Sequence, residues 1–402
     1  MPAFLLLSRN ADTEIALSLL VIFVSAKLAA ELLERCRLPG IAGEILAGIV
    51  IGPQVLNWIG PNEVTALLGE LGVMFLLFRV GLEVRASEFL AVGPRAALIA
   101  VAGVIVPFLS GWGLARAWGL AGIEPVFLGA AMVATSVGIT AQVLSSGGWI
   151  NQGASRMILA AAVIDDVLGL LVLAAVSSTA KGEINYVDLS LTALLAGGFT
   201  VFIAVFGTRA AKKLVPRMNQ GMRLVEAEYA LSLGLLFALA LLATYAGVAA
   251  IVGAFLAGMA LSETVDHRVH RMTDGVTELL VPFFLAGIGL KLDLAAFGGW
   301  SSALFALVIV VAAALSKFVA CGVAALGAGR TDAIRVGLGM IPRGEVGMVV
   351  AQMGLAFGAV SQPVYGTIVF MSVATTLIAP PLLRMAFRGA AAGERVEGVR
   401  LG

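Results

Sequence analysis

Apolar runs of about twenty residues, each closed by a short polar stretch, recur along the whole chain, and that is the length a helix needs to cross a hydrocarbon core. They predict thirteen helical spans, near 14–34, 40–57, 64–82, 92–118, 125–146, 154–178, 187–208, 224–245, 247–263, 273–291, 300–327, 332–357 and 362–386. The loops between them are short and leave no room for a soluble domain. Residues 389–402, GAAAGERVEGVRLG, are small and polar enough to be predicted disordered. The expected fold is an all-α polytopic membrane protein. With the N-terminus outside, the cytoplasmic face collects Arg35, Arg37, Arg85, Arg95, Arg156, Arg209, Lys212, Lys213, Arg217, Arg223, Arg268, Arg271, Arg330, Arg335, Arg384, Arg388, Arg395 and Arg400. The outer face keeps Arg9, Arg116, Lys181 and Lys291. A bias of roughly eighteen to four obeys the positive-inside rule and puts the C-terminus in the cytoplasm. Four cations belong to no loop: Lys27, Arg79, Lys317 and Arg343.

Composition narrows the class further. With 60% hydrophobic and 13% charged residues and a mean hydropathy of +1.02, a soluble fold is excluded. A net charge of +1 offers no basic face to nucleic acid. Two cysteines, Cys36 and Cys321, define neither a disulfide framework nor a metal-ligand set. The opening MPAFLLLSRNADTE has no basic region before its few apolar residues, so it is not read as a cleavable signal peptide.

The pattern repeats. IAGEILAGI at 41–49 matches IVGAFLAGM at 251–259, and GLEVRASEF from Gly81 matches GLKLDLAAF from Gly289. MVATSVGITAQ from Met132 resembles MIPRGEVGMVVAQ from Met340. All three pairs are about 210 residues apart. An odd number of spans separates equivalent blocks, so the halves are inserted with opposite topology, the inverted-repeat plan of secondary transporters. The third pair places Thr135, Ser136, Gly138 and Thr140 in the middle of one span and Pro342, Arg343, Gly344, Glu345 and Gly347 in the middle of another. Paired interruptions of this kind predict discontinuous helices that cross near the bilayer midplane and bring free helix ends to a cavity.

Charge inside the apolar spans supplies the chemistry. AAVIDDVLGLL at 161–171 holds Asp165 and Asp166 at the depth of the membrane, where carboxylates are costly and mark function. Neighbours on a helix point about 100° apart, so one can face a cavity only if the other faces a partner helix. The buried cation this requires is Lys317, in AAALSKFVACGVAAL. By the repeat, Lys317 corresponds to a position close to Phe108, and the aspartates to positions near Val373 to Thr375. The scaffold is duplicated and the charges are not. From spacing alone the aspartate pair also fits a structural ion pair. Lys317 either neutralises Asp165 or carries a proton. Arg343 and Glu345 suit neutralisation of helix ends, and Thr135 and Ser136 either line a cavity or pack helices.

Together AAMVATSVGITAQVL, AAVIDDVLGLLVLA, Lys317 and GMIPRGEVGMVV resemble the bacterial cation/proton antiporter-2 family, and within it the electrogenic two-aspartate sodium/proton antiporters of the NapA type. The resemblance covers essentially the whole chain. It implies a thirteen-helix sodium/proton antiporter fold with two crossed discontinuous helices, working by elevator-like movement in an inner membrane. A core near 92–186 and 300–388 would carry the ions, a scaffold near 14–91 and 223–292 would form a homodimer, and 187–222 would link them. Asp166 would take sodium (or lithium) and a proton in turn, with Asp165 paired to Lys317 and sodium held at Asp166 with Asp165. No cofactor and no transition-metal site is implied. Arg79, in LLFRVGLE, stands where the family suggests an apolar residue. Four residues before Glu83, it reads as an arginine that snorkels with a helical partner, or as a gating or pH-responsive group. His267 and His270, in SETVDHRVHRM, read as part of a solvated cytoplasmic loop, or as a pair that binds metal or senses pH. Three competing readings are a potassium/proton exchanger on the same fold, a channel, and an intramembrane aspartyl protease. The protease would need aspartates converging from different helices.

Overall fold

The computed structural model describes residues 11–36, 40–84, 92–180, 194–203, 205–207, 209–210, 213, 226–292 and 299–388. The predicted tail at 389–402 and much of the 187–222 linker lie outside these residues. In chain order the helices are α1 (Ala11–Arg35), α2 (Gly40–Ile51), α3 (Glu63–Glu83), α4 (Gly93–Ala117), α5 (Glu124–Ala131), α6 (Val137–Ser146), α7 (Gly153–Ala180), α8 (194–203), α9 (Ala227–Tyr245), α10 (Ala250–Leu261), α11 (His267–Leu290), α12 (Trp300–Ala324), α13 (Arg330–Gly339), α14 (Glu345–Ala356) and α15 (Gln362–Ala386). Among the described residues, seven helices are long and apolar enough to cross a membrane by themselves. The spans predicted at 125–146 and 332–357 are each two helices, unwound at 132–136 and 340–344.

Local chemistry sets the helix ends. Asn62 caps α3, its side-chain oxygen accepting from the Thr65 N–H at 2.9 Å. Asp266 does the same for α11, accepting from the His267 N–H at 2.6 Å. That cap starts the helix six residues before the predicted 273 and corrects the loop reading of the histidines. His267 and His270 lie on the first turn of α11, exposed and half-buried, with ring centroids 6.0 Å apart.

The repeated glycines are the packing code of the fold. A Cβ at Gly48 in α2 would overlap the Ala286 carbonyl in α11, and one at Gly289 in α11 would overlap the Ile45 carbonyl in α2. The same interlock recurs between α10 and α3, where Gly258 faces the Phe78 carbonyl and Gly81 faces the Phe255 carbonyl. Small residues let helix backbones touch where lipid gives no hydrophobic drive to associate. Each half therefore lends its short helix to the long helix of the other half.

Two sets of helices result. α1, α2, α3, α9, α10 and α11 pack on one another, as do α4 to α7 with α12 to α15. The sets meet where α3 touches α6 and α2 touches α15. Within the first set Lys27 finds its partners, Glu44 at 3.3 Å and Glu278 at 3.2 Å.

Candidate functional site at the helix crossing

The two unwound segments are tied to each other by one backbone bond, and the helices that flank them by one side-chain bond. The Ser136 N–H donates to the Pro342 carbonyl at 2.8 Å, and the Thr140 hydroxyl donates to the Gly339 carbonyl at 2.6 Å. Close approach explains Gly344, where a Cβ would lie 2.6 Å from Ser136 Oγ. Flanking helices satisfy the backbone groups that unwinding frees. On one side the Thr135 N–H donates to Asp165 Oδ2 of α7 at 3.1 Å. On the other the Arg343 N–H donates to Thr375 Oγ1 of α15 at 3.1 Å, and the Thr376 hydroxyl returns a bond to the Arg343 carbonyl at 2.8 Å. These two arrangements are counterparts in the repeat, with a carboxylate in one half and a hydroxyl in the other.

Cations gather at the C-terminal end of α5, where the helix dipole is negative. Arg343 is fully buried and donates to the Val133 carbonyl at 3.2 Å, the Ala134 carbonyl at 3.5 Å and the Ala313 carbonyl of α12 at 3.0 Å. Lys317, also fully buried, donates to Val133 O at 2.7 Å, to Gly103 O of α4 at 2.7 Å and to Asp165 Oδ1 at 2.9 Å. Asp165 is thus shared between a lysine and a backbone amide. Asp166, the next residue on α7, is 6% exposed where Asp165 is 0%. Thr135 Oγ1 and Ser136 Oγ are buried and have no hydrogen-bond partner among the described residues. A buried oxygen left unpaired costs free energy unless something else satisfies it.

Other candidate residues fall elsewhere. Gly138 packs α6 against α3 and α11, where a Cβ would meet Val73 Cγ2 at 2.8 Å and the Phe284 ring at 3.3 Å. Glu345 opens α14, but its side chain lies outside the described residues. Arg79 does not snorkel. It is 8% exposed, its guanidinium donates to Gln142 Oε1 of α6 at 3.1 Å, and it pairs with Asp274 of α11 at 3.8 Å. Besides its electrostatic neighbour Glu83 on the same helix, it takes partners from two other helices. Arg79 therefore joins the two helix sets.

Two cavities open beside this contact, one toward each face. The first, about 420 Å³, is lined by Gly40, Ile41, Gln142, Glu278, Val281 and neighbours; the second, about 510 Å³, by Ala250, Ile251, Gln352, Glu70, Val73 and neighbours. Those five positions correspond pairwise through the repeat. Asp165 and Asp166 line neither cavity. The symmetry breaks at residue 79, among other places. Arg79 bridges to Gln142 on one face, whereas its counterpart Gly287 lines the second cavity and leaves open space beside Gln352.

Sequence reasoning missed Gln142, Asp274, Thr376 and the Gly103 carbonyl. A signal existed for two of them: Asp274 sits four residues from both His270 and Glu278 on one helix face, and Pro107 interrupts the bonding of α4 one turn after Gly103.

Comparison with known proteins fits this geometry. A family model described as sodium/hydrogen exchanger, transmembrane, matches residues 9–389. The high-affinity Na(+)/H(+) antiporter NhaS3 of Synechocystis sp. is 33% identical over 436 aligned residues, covering 96% of this chain and 94% of that protein. The Na(+)/H(+)-K(+) antiporter GerN of Bacillus cereus is 33% identical over 384, covering 94% and 97%. The solved sodium proton antiporter MjNhaP1 of Methanocaldococcus jannaschii superposes with a TM-score of 0.72 over 94% of this chain and 97% of that one, at 19% identity, which is a likeness of fold. With a match over residues 9–389 and two discontinuous helices crossed in an inverted repeat, the chain belongs to the transmembrane sodium/hydrogen exchanger family of multi-pass antiporters.

Proposed function

We propose that the protein exchanges sodium or lithium for protons, electrogenically, across a bacterial cytoplasmic membrane, in the manner of the NapA-type branch. The observation that carries this reading is the pair of buried, unpartnered hydroxyls of Thr135 and Ser136 at the crossing, next to the segment that Asp165 and Lys317 hold. A dehydrated alkali cation needs several oxygens. Hydroxyls, carboxylates and the free carbonyls of an unwound helix are the oxygens such an ion takes.

Asp166 holds either the cation or a proton. Asp165 and Lys317 form a coupled pair whose charge is balanced locally, so cation binding displaces positive charge from the site. With two carboxylates and one lysine, more than one proton moves per sodium ion, and the exchange responds to membrane voltage. An empty site carries an uncompensated charge that opposes crossing, which suppresses leak.

The second helix set, with the crossing at its centre, is the moving core in this proposal, and the first set is the scaffold on which two copies dimerise. The N-terminus lies outside and the C-terminus in the cytoplasm. Arg79 latches core to scaffold on the cytoplasmic face. His267 and His270 stay with the solvated surface.

Purified protein in liposomes with a trapped pH dye tests the reading, with sodium, lithium or potassium added and a voltage imposed or absent. Sodium-driven, voltage-dependent proton movement that vanishes in Asp166→Asn is the expected result. An unchanged variant removes Asp166 from the site. The likeness to GerN, whose name includes potassium, favours a second reading as a potassium/proton exchanger, and a response to potassium alone would select it.

A further inference from the structure

Lys317 makes its three bonds to groups of quite different origin, and one of them goes to a carbonyl four residues before a proline. Pro107 lies inside α4. It has no N–H to return to the carbonyl four residues earlier, and its ring pushes that carbonyl off the helix axis. That carbonyl belongs to Gly103, and it accepts from Lys317 Nζ at 2.7 Å. Glycine is needed there too, because a Cβ at 103 would stand 3.1 Å from Nζ and 2.9 Å from Cys321 Sγ. The second carbonyl, Val133 O, is set free by the unwinding after α5 and accepts at 2.7 Å. Only the third acceptor, Asp165 Oδ1 at 2.9 Å, is a carboxylate.

We propose that Pro107 and Gly103 are positioning residues that build a carbonyl berth for the Lys317 ammonium, so that Asp165 can be released to an incoming cation without leaving the lysine unsolvated. The inference rests on the reading of Asp165 as part of the ion site. An ammonium has three N–H donors and gains most when each meets an acceptor. With two fixed carbonyls in place, surrendering Asp165 costs one bond of three. If the Gly103 carbonyl turned back into its own helix, the ammonium would depend on Asp165 and compete harder with sodium. Pro107→Ala restores the amide hydrogen that recaptures that carbonyl.

The test is a double-mutant cycle read by sodium-dependent thermal stabilisation of the purified protein, a binding readout that needs no turnover. The four proteins are the wild type, Pro107→Ala, Lys317→Met and the double variant. Pro107→Ala should weaken apparent sodium affinity about tenfold in the presence of Lys317, and should have no effect in the Lys317→Met background. A general kink role for the proline would act in both backgrounds, and a shift of equal size in both overturns the proposal, as does wild-type affinity in Pro107→Ala. Should Lys317→Met fail to fold, Gly103→Ala combined with Cys321→Ala displaces the ammonium while Pro107 stays. The same fall in affinity supports the berth, and unchanged affinity overturns it. Wild-type protein that shows no sodium stabilisation and no exchange in liposomes would instead sink the functional reading itself.

Discussion

Replacing Arg79 with leucine isolates the contact between the two helix sets. In the native protein its guanidinium donates to Gln142 on α6 at 3.1 Å, out of water, while its partner Asp274 belongs to the same set as Arg79. A hydrogen bond from a charged donor contributes about 1.5–3 kcal/mol when buried. The Asp274 pair, 3.8 Å long and with its carboxylate side chain 53% exposed, adds about 0.5 kcal/mol at most. That pair does not span the sets, so it drops out of any equilibrium that separates them. The bias is therefore about 2 kcal/mol, close to a 30-fold change in the ratio of conformations.

Single cysteines read that ratio. Ser146 and Gln352 line the cavities on opposite faces, and both suit cysteine substitution in a Cys36→Ser background, since Cys36 is exposed and Cys321 buried. Labelling of oriented vesicles with a membrane-impermeant maleimide should show Ser146→Cys gaining reactivity relative to Gln352→Cys by more than tenfold once Arg79 is leucine. Gln142→Ala should reproduce the shift, and the two changes together should give no more than either alone. A labelling ratio that moves less than threefold in both single variants refutes the reasoning.

Lys317→Met leaves Asp165 charged in a fully buried position, and loss of about 3–5 kcal/mol of stability is expected, with Asp165→Asn recovering much of it in the double variant; thermal denaturation in detergent checks both. Gly258→Ala drives a methyl into the Phe78 carbonyl, and Gly48→Ala does the same at Ala286, so each should cost about 1–3 kcal/mol. Equal melting temperatures for these variants and the wild type would mean that the helices part at no cost. Thr135→Val keeps shape but removes an oxygen with no protein partner, so it should leave the melting temperature near wild type while raising the sodium concentration for half-maximal exchange; a variant with unchanged sodium dependence would take Thr135 out of the site.

Much of this was written in the sequence because lipid enforces a strong pattern. Spans had to be apolar over a set length, and the glycine blocks repeated because the same backbone contact had to be made twice. The breaks showed as polar residues mid-span, and the demand of Asp165 for a buried cation led directly to Lys317. Glu83, the neighbour of Arg79 along the helix, is visible in sequence, whereas Gln142 and Asp274 come near only through the crossing of α3 with α6 and α11. The lysine berth was hidden for a different reason. Two of its three ligands are carbonyls, and every residue has one, so no residue type announces which carbonyl is free. Pro107 was the available clue, and it is informative only once the neighbouring helix is known.

The tie between the two unwound segments, from the Ser136 amide to the Pro342 carbonyl, contains no side chain. A bond made wholly of main chain is carried by every amino acid except proline at 136 and by any residue at 342. In the site proposed above, the hydroxyls beside it can therefore be exchanged while the joint that aligns the two halves stays in register. The position that resists drift is 344, where any side chain would strike Ser136. If the proposed site is the ion site, its oxygens can be altered by single substitutions without the fold having to be rebuilt around each new cargo.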